Sequence, residues 1–350
     1  MKTLIQNYQN IPGEHCGSTA MMNLIAHYCG LKLSEAEVIG LGSATDFIYI
    51  KSEQNQPKIL TLGRSKSMEV DLTQALGIDY REIPDLDNAH AWEVVKQEVL
   101  AGRPTMLSGD TFYLDYRGFG GHHFPAHRFV LVGFDDERRK AIIADRIDST
   151  FEESAYDALA ASRNPPTPIS TYNLWGKFHG TDVKRTMREA CLFAMDRSVK
   201  RMLGIDKSPE MLLKAFTGKF QVKIATGIQG IRAFHEDFLS WKTDEDWKTT
   251  VKYTSDCFER YGTGGGNFRK MYANFLEKAQ QHAPEVIDQK CILMTRNIAQ
   301  EWTTLSGRLI QLTKKNSDHN WKKCHDKIGN ILLQETALYQ HLEQRLKHAR

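Results

Sequence analysis

The first half of the chain alternates between helical and strand-like patterns of apolar residues. A helix is indicated after residue 15 by apolar side chains at positions i, i+3, i+4 and i+7, namely Met21, Leu24, Ile25 and Tyr28. Gly30 follows where a C-terminal cap is expected. The pattern predicts a helix that has Cys16 in or just before its first turn.

Further short elements follow this helix. Ser34 and Glu37 have the spacing of a capping box and open a helix that ends near Gly40. Apolar spacing predicts another helix over residues 92–99, and residues 105–110 have the composition of a short apolar strand. The first half is therefore expected to mix helices and strands.

Residues 127–145 carry the pattern of an antiparallel hairpin. Two apolar runs, 127–134 and 141–145, are joined by a charged turn, and unbroken apolar runs are expected where both faces of a strand are buried. His127 begins the first strand and Asp145 ends the second. Those two positions lie side by side at one edge of an antiparallel pair, where a carboxylate can orient an imidazole.

Beyond about Arg185 the patterns become helical. Ser208-Pro209-Glu210 and Thr243-Asp244-Glu245 have the sequence of helix starts. Two apolar stripes have helical spacing, one made by Ile231, Phe234, Phe238 and Trp241, the other by Ile328, Ile331, Leu332, Leu338, Leu342 and Leu346. The sequence thus predicts an α+β fold: a domain over residues 1–180 with a small antiparallel sheet, then a mainly α-helical domain over residues 186–350.

Composition mainly excludes classes of function. The 46 basic and 43 acidic side chains nearly balance, which argues against a nucleic-acid-binding protein. No apolar run approaches the roughly 18 residues that a membrane span needs, and the amino terminus lacks a secretory signal, so we expect a cytoplasmic protein without a membrane span. The six cysteines show no paired spacing and are expected to be free thiols in a reducing compartment.

Cys16, His127 and Asp145 form the main candidate for chemistry. The start of a helix stabilises a thiolate, an imidazole can take the thiol proton, and a carboxylate fixes the imidazole tautomer. The order Cys, His, Asp along these elements is that of the papain-like thiol fold. The alternative is that Cys16 is only a small buried apolar residue.

A thiol nucleophile also needs donors for the oxyanion that forms during acyl transfer. The backbone N–H of Cys16 is one candidate. A side-chain amide shortly before it could be the second, and the sequence offers Gln9 and Asn10, with Gln6 further away. Each of these amides could equally lie on the surface.

Three other features admit a functional and a simpler interpretation. His122 and His123, in a histidine-rich run, either belong to a loop over the active site or complete a metal site, although the spacing is not that of a helical zinc site and we expect no metal. The glycine-rich residues 262–266, followed by Arg269, could bind an anion such as a pantetheine phosphate, or form an interhelical turn. Residues 308–350 hold nine Lys or Arg against four Asp or Glu, which suits an acidic partner such as an acyl carrier protein or a solvated face.

The chain resembles the butirosin biosynthesis protein H family. The matching residues are His15-Cys16-Gly17-Ser18-Thr19-Ala20, Leu33-Ser34-Glu35-Ala36, Gly40-Leu41-Gly42, Gly102-Arg103-Pro104, Asp110 with Tyr113, and the run from His127 to Asp145. The second half is similar to the helical domain of unknown function that follows in many members, most clearly from Gly262 to Leu276. One departure is Arg146, which follows Asp145 where related thiol folds often carry proline.

The resemblance implies a papain-like acyltransferase with Cys16 as nucleophile, His127 as base and Asp145 as orienting acid. It would move an acyl group from the phosphopantetheine thioester of an acyl carrier protein, or from acyl-CoA, to an amine of a small natural-product precursor, with no further cofactor. Asp110, Tyr113, His122, His123 and Arg269 are then substrate-binding candidates. The helical domain could close over the acyl channel, dock the carrier or build a homodimer interface. The alternative activity is hydrolysis by the same residues, as a peptidase or amidase.

Overall fold

The computed structural model describes residues 1–53, 57–117, 123–124, 126–165, 170–208 and 222–349. The chain divides into two compact units: a first unit of Met1–Val38 with Gly77–Lys184, and a second unit of Ile39–Leu76 with Arg185–Arg350. The sequence suggested a continuous first domain over residues 1–180, whereas residues 39–76 pack with the second half of the chain.

The described elements, in chain order, are β1 (Lys2–Leu4), α1 (Cys16–Cys29), α2 (Glu35–Leu41), β2 (Thr45–Lys51), β3 (Ile59–Arg64), α3 (Met68–Leu76), β4 (Tyr80–Ile83), α4 (Asn88–Leu100), β5 (Thr105–Gly109), β6 (His127–Asp135), β7 (Lys140–Ala144), β8 (Phe151–Ala155), α5 (Tyr156–Arg163), β9 (Trp175–Phe178), α6 (Met187–Met202), β10 (Lys223–Thr226), α7 (Gly227–Phe238), α8 (Trp247–Glu259), α9 (Arg269–Ala279), α10 (Gln289–Lys314) and α11 (Asp318–Ala349). Short 3₁₀ turns lie at Thr111–Tyr113 and Leu239–Thr243.

The first unit is built on a seven-stranded antiparallel sheet of order β4-β9-β5-β6-β7-β8, in which β1 also pairs with β6. The hairpin that the sequence predicted is formed by β6 and β7. All nine residues of β6 are buried, as expected for a central strand covered on both faces. Gly109 of β5 pairs with His127, so the end of β5 and the start of β6 meet at one edge of the sheet.

Helix α1 packs against β6 and β5. Met21, Leu24 and Ile25 are fully buried on its apolar face, and Gly30 ends the helix with φ of 64°, a left-handed cap that glycine adopts without strain. Because α1 starts at Cys16 and its body is fixed on the sheet, the position of the thiol is set by the core of this unit.

The second unit combines helices with a three-stranded antiparallel sheet of order β10-β2-β3. The two apolar stripes expected from the sequence are buried in it. Phe47 of β2 stacks on Phe234 of α7 and on Trp302 of α10, with ring centroids 5.7 and 5.2 Å apart. The start proposed at Ser208-Pro209-Glu210 falls mostly outside the described residues.

The α+β fold is confirmed, with an antiparallel sheet in the first unit and a mainly helical second unit. The sheet of the second unit was not predicted. Its central strand β2 comes from the first half of the chain and pairs with β10, whose Thr226 lies opposite Ile48. Such a pairing joins segments far apart in the sequence, and hydrophobic periodicity, a local signal, does not report it. No helix among the described residues is long and apolar enough to cross a membrane.

Candidate active site

Cys16 is the first residue of α1, as the sequence predicted. His15 caps the helix: its backbone is extended, and its Nδ1 accepts a hydrogen bond from the Ser18 N–H at 3.1 Å. The thiol is therefore held at the positive end of the helix dipole, which favours the thiolate. The Cys16 residue is 8 % exposed and therefore buried. It borders a small pocket that Phe129 and Asp145 also line.

Glu35, the first residue of α2, braces the segment around Cys16. Its Oε1 accepts hydrogen bonds from the His15 N–H at 2.7 Å and the Ser18 hydroxyl at 2.7 Å, and its Oε2 accepts one from the Glu14 N–H at 2.9 Å. One carboxylate thus joins the residue before Cys16 to the first turn of α1. In the sequence, Glu35 was noted only as part of a motif shared with the family that the chain resembles, and no role was predicted for it.

Replacing Glu35 by alanine is expected to lower the free energy of unfolding by about 1.5–3 kcal/mol, the contribution of hydrogen bonds to a charged group. The reason is that the His15 N–H and the Ser18 hydroxyl lose this acceptor. Urea unfolding followed by circular dichroism measures the change. Glu14→Ala is the matched control, because Glu14 is exposed and its loss should cost no more than about 0.5 kcal/mol. Equal effects of the two substitutions would contradict the role given to Glu35.

His127 and Asp145 meet as the hairpin predicted. His127 Nε2 lies 2.9 Å from Asp145 Oδ2, and His127 also forms a hydrogen bond with the Cys16 side chain. Since Asp145 faces Nε2, Nδ1 is the ring nitrogen left for the sulfur. Asp145 Oδ1 accepts a hydrogen bond from the Arg146 N–H at 2.7 Å, a donor that proline at this position would lack.

The electrostatics of the pair favour two charged groups. Burial opposes the charging of His127, yet the charges of Asp145 and Cys16, with hydrogen bonds to both, outweigh it and raise the pKa of His127. Burial likewise opposes the charging of Asp145, but His127 and then Arg117 outweigh it and lower the pKa of Asp145. An imidazolium that persists at higher pH stabilises a neighbouring thiolate.

Tyr116 and Arg117 belong to this site and were not recognised in the sequence. Arg117 Nε and Nη2 donate to Asp145 Oδ2 at 2.9 and 2.7 Å, and the Tyr116 hydroxyl donates to the same oxygen at 3.1 Å. Arg117 Nη2 also lies 2.9 Å from His127 Nε2. Burial and the Asp145 charge raise the pKa of Tyr116 well above its ordinary value, so its hydroxyl remains a donor.

The oxyanion candidates differ in position. Asn10 is buried, and its Nδ2 donates to the backbone carbonyls of Asp145 and Asp148, each at 2.8 Å. Both N–H groups of the amide are thereby used to hold the segment that follows β7. Gln9 is exposed. This geometry favours a bracing role for Asn10. The backbone N–H of Cys16, in the first turn of α1, remains a candidate oxyanion donor.

Asp110, Tyr113 and His123 lie near the same sheet edge, because Asp110 directly follows Gly109, the pairing partner of His127. Asp110 is fully buried and accepts hydrogen bonds from the Phe124 N–H at 2.8 Å and from the His123 ring at 2.8 Å. His123 is about half exposed and stacks on Phe112 with ring centroids 4.2 Å apart. Asp110 therefore holds an aromatic surface that includes Tyr113. His122 lies outside the described residues.

Arg269 has the environment of a core residue. It is 1 % exposed, its Nε donates to Glu335 at 2.7 Å, and its Nη1 donates to the backbone carbonyls of Asp46 and Gly63. These contacts hold the guanidinium inside the second unit and favour a structural role over substrate binding.

The glycine-rich segment before Arg269 has its donors engaged as well. Gly264, Gly265 and Gly266 all have positive φ, and Asn267 and Phe268 continue the left-handed run. The Gly265 N–H donates to the Thr263 hydroxyl and the Gly266 N–H to Glu259. A carboxylate thus occupies the position where an anion would bind, which favours the interhelical turn over the phosphate loop.

Charges and thiols elsewhere are consistent with ordinary surfaces and cores. In the basic C-terminal region, Lys322 and Lys327 are paired with Asp326 and Glu301. Within the described ranges, no group of three or more His, Cys, Asp or Glu could hold a metal ion.

Burial raises the pKa of Cys29 to about 11 and those of Cys257, Cys291 and Cys324 to about 12, so these four remain thiols at neutral pH.

Comparison with known families gives two matches, which follow one another along the chain. Residues 15–146 match the family described as Butirosin biosynthesis protein H, N-terminal, and residues 157–342 match the Domain of unknown function (DUF4872). The first match spans Cys16, His127 and Asp145. The chain belongs to the family in which the first of these domains is followed by the second. No curated protein matches the chain.

Proposed function

We propose that this protein is a cysteine-dependent acyltransferase of natural-product biosynthesis. The observation that supports it is the set of contacts around His127, which bonds to the Cys16 side chain and lies 2.9 Å from Asp145. This is the arrangement in which a thiol loses its proton to an imidazole oriented by a carboxylate. The family name, which refers to butirosin biosynthesis, supports a biosynthetic role.

The reaction proceeds through an acyl-cysteine. The Cys16 thiolate attacks the carbonyl carbon of a phosphopantetheine thioester, the bond from that carbon to the donor sulfur breaks, and the departing thiolate takes a proton from His127. A small-molecule amine then attacks the acyl-cysteine, the C–S bond to Cys16 breaks, and the amine loses one proton while the pair of Cys16 and His127 regains one. The N–H groups at the start of α1 stabilise the oxyanion in both steps.

The acyl donor is an acyl carrier protein or acyl-CoA, since both carry the same thioester. The aromatic surface of Phe112, Tyr113 and His123 would bind the amine acceptor, because it lies at the sheet edge that carries His127. Asp110 holds the His123 ring of this surface in place through a hydrogen bond. A surface whose rings are held in place binds a small molecule at a lower cost in entropy.

The test combines mass spectrometry with product analysis. The protein is incubated with an acyl-pantetheine thioester, and the peptide that contains Cys16 is expected to gain the mass of the acyl group. Amines are then added. Formation of amide in proportion to added amine supports the transferase, whereas release of free acid at the same rate with and without amine would show a hydrolase. Absence of any adduct on Cys16 would overturn the proposal.

A further inference from the structure

Arg117 creates a conflict over a single proton at the candidate active site. His127 Nε2 lies 2.9 Å from a donor, Arg117 Nη2, and 2.9 Å from an acceptor, Asp145 Oδ2. If Nε2 carries a proton it can donate to Asp145 but meets an Arg117 N–H. If Nε2 is bare it can accept from Arg117, and the proton of the neutral ring is then on Nδ1, toward Cys16.

Asp145 Oδ2 also has more potential hydrogen-bond donors around it than it can accept from. Four groups lie within 3.1 Å of this one oxygen: Arg117 Nε, Arg117 Nη2, the Tyr116 hydroxyl and His127 Nε2. A carboxylate oxygen offers about two lone-pair sites, fewer than these four groups would need. Arg117 and Asp145 each have a side chain only 3 % exposed, so water does not screen the contact. The arginine therefore competes with the imidazole for the carboxylate.

We propose that Arg117 is a positioning residue that suppresses hydrolysis of the acyl-cysteine by holding neutral His127 with its proton on Nδ1. This inference rests on the proposed function. In the free enzyme the thiolate keeps the ring doubly protonated, and Arg117 then pairs with Asp145 alone. Acylation removes the thiolate charge, and the ring becomes neutral when Nδ1 gives its proton to the donor sulfur. The remaining proton then leaves Nε2 and Nδ1 takes one up, both by exchange with solvent, and Arg117 holds this tautomer by donating to Nε2.

A proton on Nδ1 of His127 affects the two possible acyl acceptors, water and an amine, in different ways. Water must lose a proton to a base as it attacks, and a ring with Nδ1–H offers no base toward the acyl carbon. A neutral amine attacks with its own lone pair. The Cys16 sulfur leaves as a thiolate, which the helix start stabilises and which accepts a hydrogen bond from Nδ1–H. The amine proton passes to solvent, and Nε2 then takes up a proton from solvent, which restores the thiolate and the doubly protonated ring. The same tautomer thus disfavours hydrolysis and assists transfer.

Among the described residues, the charged and titratable groups on the elements around His127 are Cys16 from α1, Asp145 and Arg146 after β7, Asp110 after β5, and Tyr116 with Arg117. Asp110 is engaged with His123 and with the Phe124 N–H, and Tyr116 donates to Asp145. Arg117 is the cation among them in contact with the ring.

The tautomer can be read without any acyl substrate. Alkylation of Cys16 with iodoacetamide gives a thioether that, like the acyl-cysteine, has no thiolate. In ¹⁵N-histidine spectra of this protein at a pH where the ring is neutral, with His127 assigned by its absence in His127→Gln, we expect Nδ1–H in the wild type. Nε2–H in the wild type would overturn the proposal, and this measurement needs no Arg117 variant to fold.

Arg117→Met adds a second readout. The alkylated variant is expected to show Nε2–H, and its acyl-enzyme is expected to hydrolyse up to about 10²-fold faster, the lower end of what a positioned general base contributes. Arg139→Met removes an exposed arginine of the same unit and should change neither value. A folded Arg117→Met protein with unchanged tautomer and hydrolysis would overturn the proposal. Failure of Cys16 to accept an acyl group would instead contradict the proposed function and leave the tautomer result intact.

Discussion

Replacing Cys16 by alanine is expected to reduce acyl transfer by roughly 10⁴- to 10⁶-fold, the range seen when a member of a catalytic triad is removed. In the proposed mechanism the Cys16 sulfur carries the acyl group, so no other residue of the site can replace it. Both kcat and the amount of acylated protein should fall, because the covalent step is lost and not the binding of the donor. Amide formation from an acyl-pantetheine thioester, followed by mass spectrometry, measures both.

Cys29→Ala is the matched control for this prediction. Cys29 is the last residue of α1, so the same substitution is made at the other end of the same helix. The pKa of its thiol is raised to about 11, which leaves it protonated and unreactive near neutral pH. The control should keep full activity. If Cys16→Ala retained the activity of Cys29→Ala, Cys16 would not be the nucleophile.

The positions of Cys16, His127 and Asp145 were predictable because each residue lies in an element with a local pattern. The helix after Cys16 shows an amphipathic repeat, and the strands that carry His127 and Asp145 are unbroken apolar runs joined by a charged turn. Antiparallel pairing then fixes which ends of the two strands are neighbours. Once these elements are identified, the meeting of imidazole and carboxylate follows from the topology of a hairpin.

The residues that contact Cys16, His127 and Asp145, or the segments next to them, were not predictable by the same route. Arg117 reaches Asp145, 28 positions away, through a segment without apolar periodicity, so no repeat indicates where its side chain points. Glu35 forms hydrogen bonds with residues about 20 positions earlier in the chain. The sequence pattern of its helix indicated only the capping residues and not these contacts. In both cases a charged side chain acts through tertiary structure.

Arg269 is a residue for which the sequence left both a binding role and a structural role open. Its place after a glycine-rich segment suggested an anion site, since glycines and a cation are what such a site needs. In the folded chain the cation is neutralised by Glu335, 66 positions away, and a buried ion pair of this kind is as compatible with packing as with binding. Composition identifies the groups that are present, and only the fold shows which partner each one has.

Asp145→Asn is expected to lower acyl transfer by about 10²- to 10⁴-fold, the contribution of a positioned acid–base system. The charge of Asp145 is one of the causes that raise the pKa of His127. With asparagine that charge is lost, while the guanidinium of Arg117 stays 2.9 Å from Nε2, so the pKa of His127 should fall. The imidazolium is then lost at a lower pH, and the alkaline limb of the profile of kcat/KM against pH should move toward acid.

The same substitution has a defined effect on stability against pH. The folded-state pKa of Asp145 is lowered, so the carboxylate stabilises the fold above its unfolded pKa of about 3.9, and this contribution is lost as pH falls through the folded pKa. Wild type should therefore exceed Asp145→Asn in unfolding free energy at pH 7, by an amount that shrinks toward low pH.

The matched control for Asp145→Asn is Asp148→Asn, made three residues later on the exposed surface. Urea unfolding across pH and the pH profile of kcat/KM should leave this control close to wild type. An alkaline limb that stays in place in Asp145→Asn, or a stability difference that does not shrink toward low pH, would show that the carboxylate does not hold the charge of His127. Cys16 would then need another source for its thiolate, and the first turn of α1 is the part of the site that could supply it.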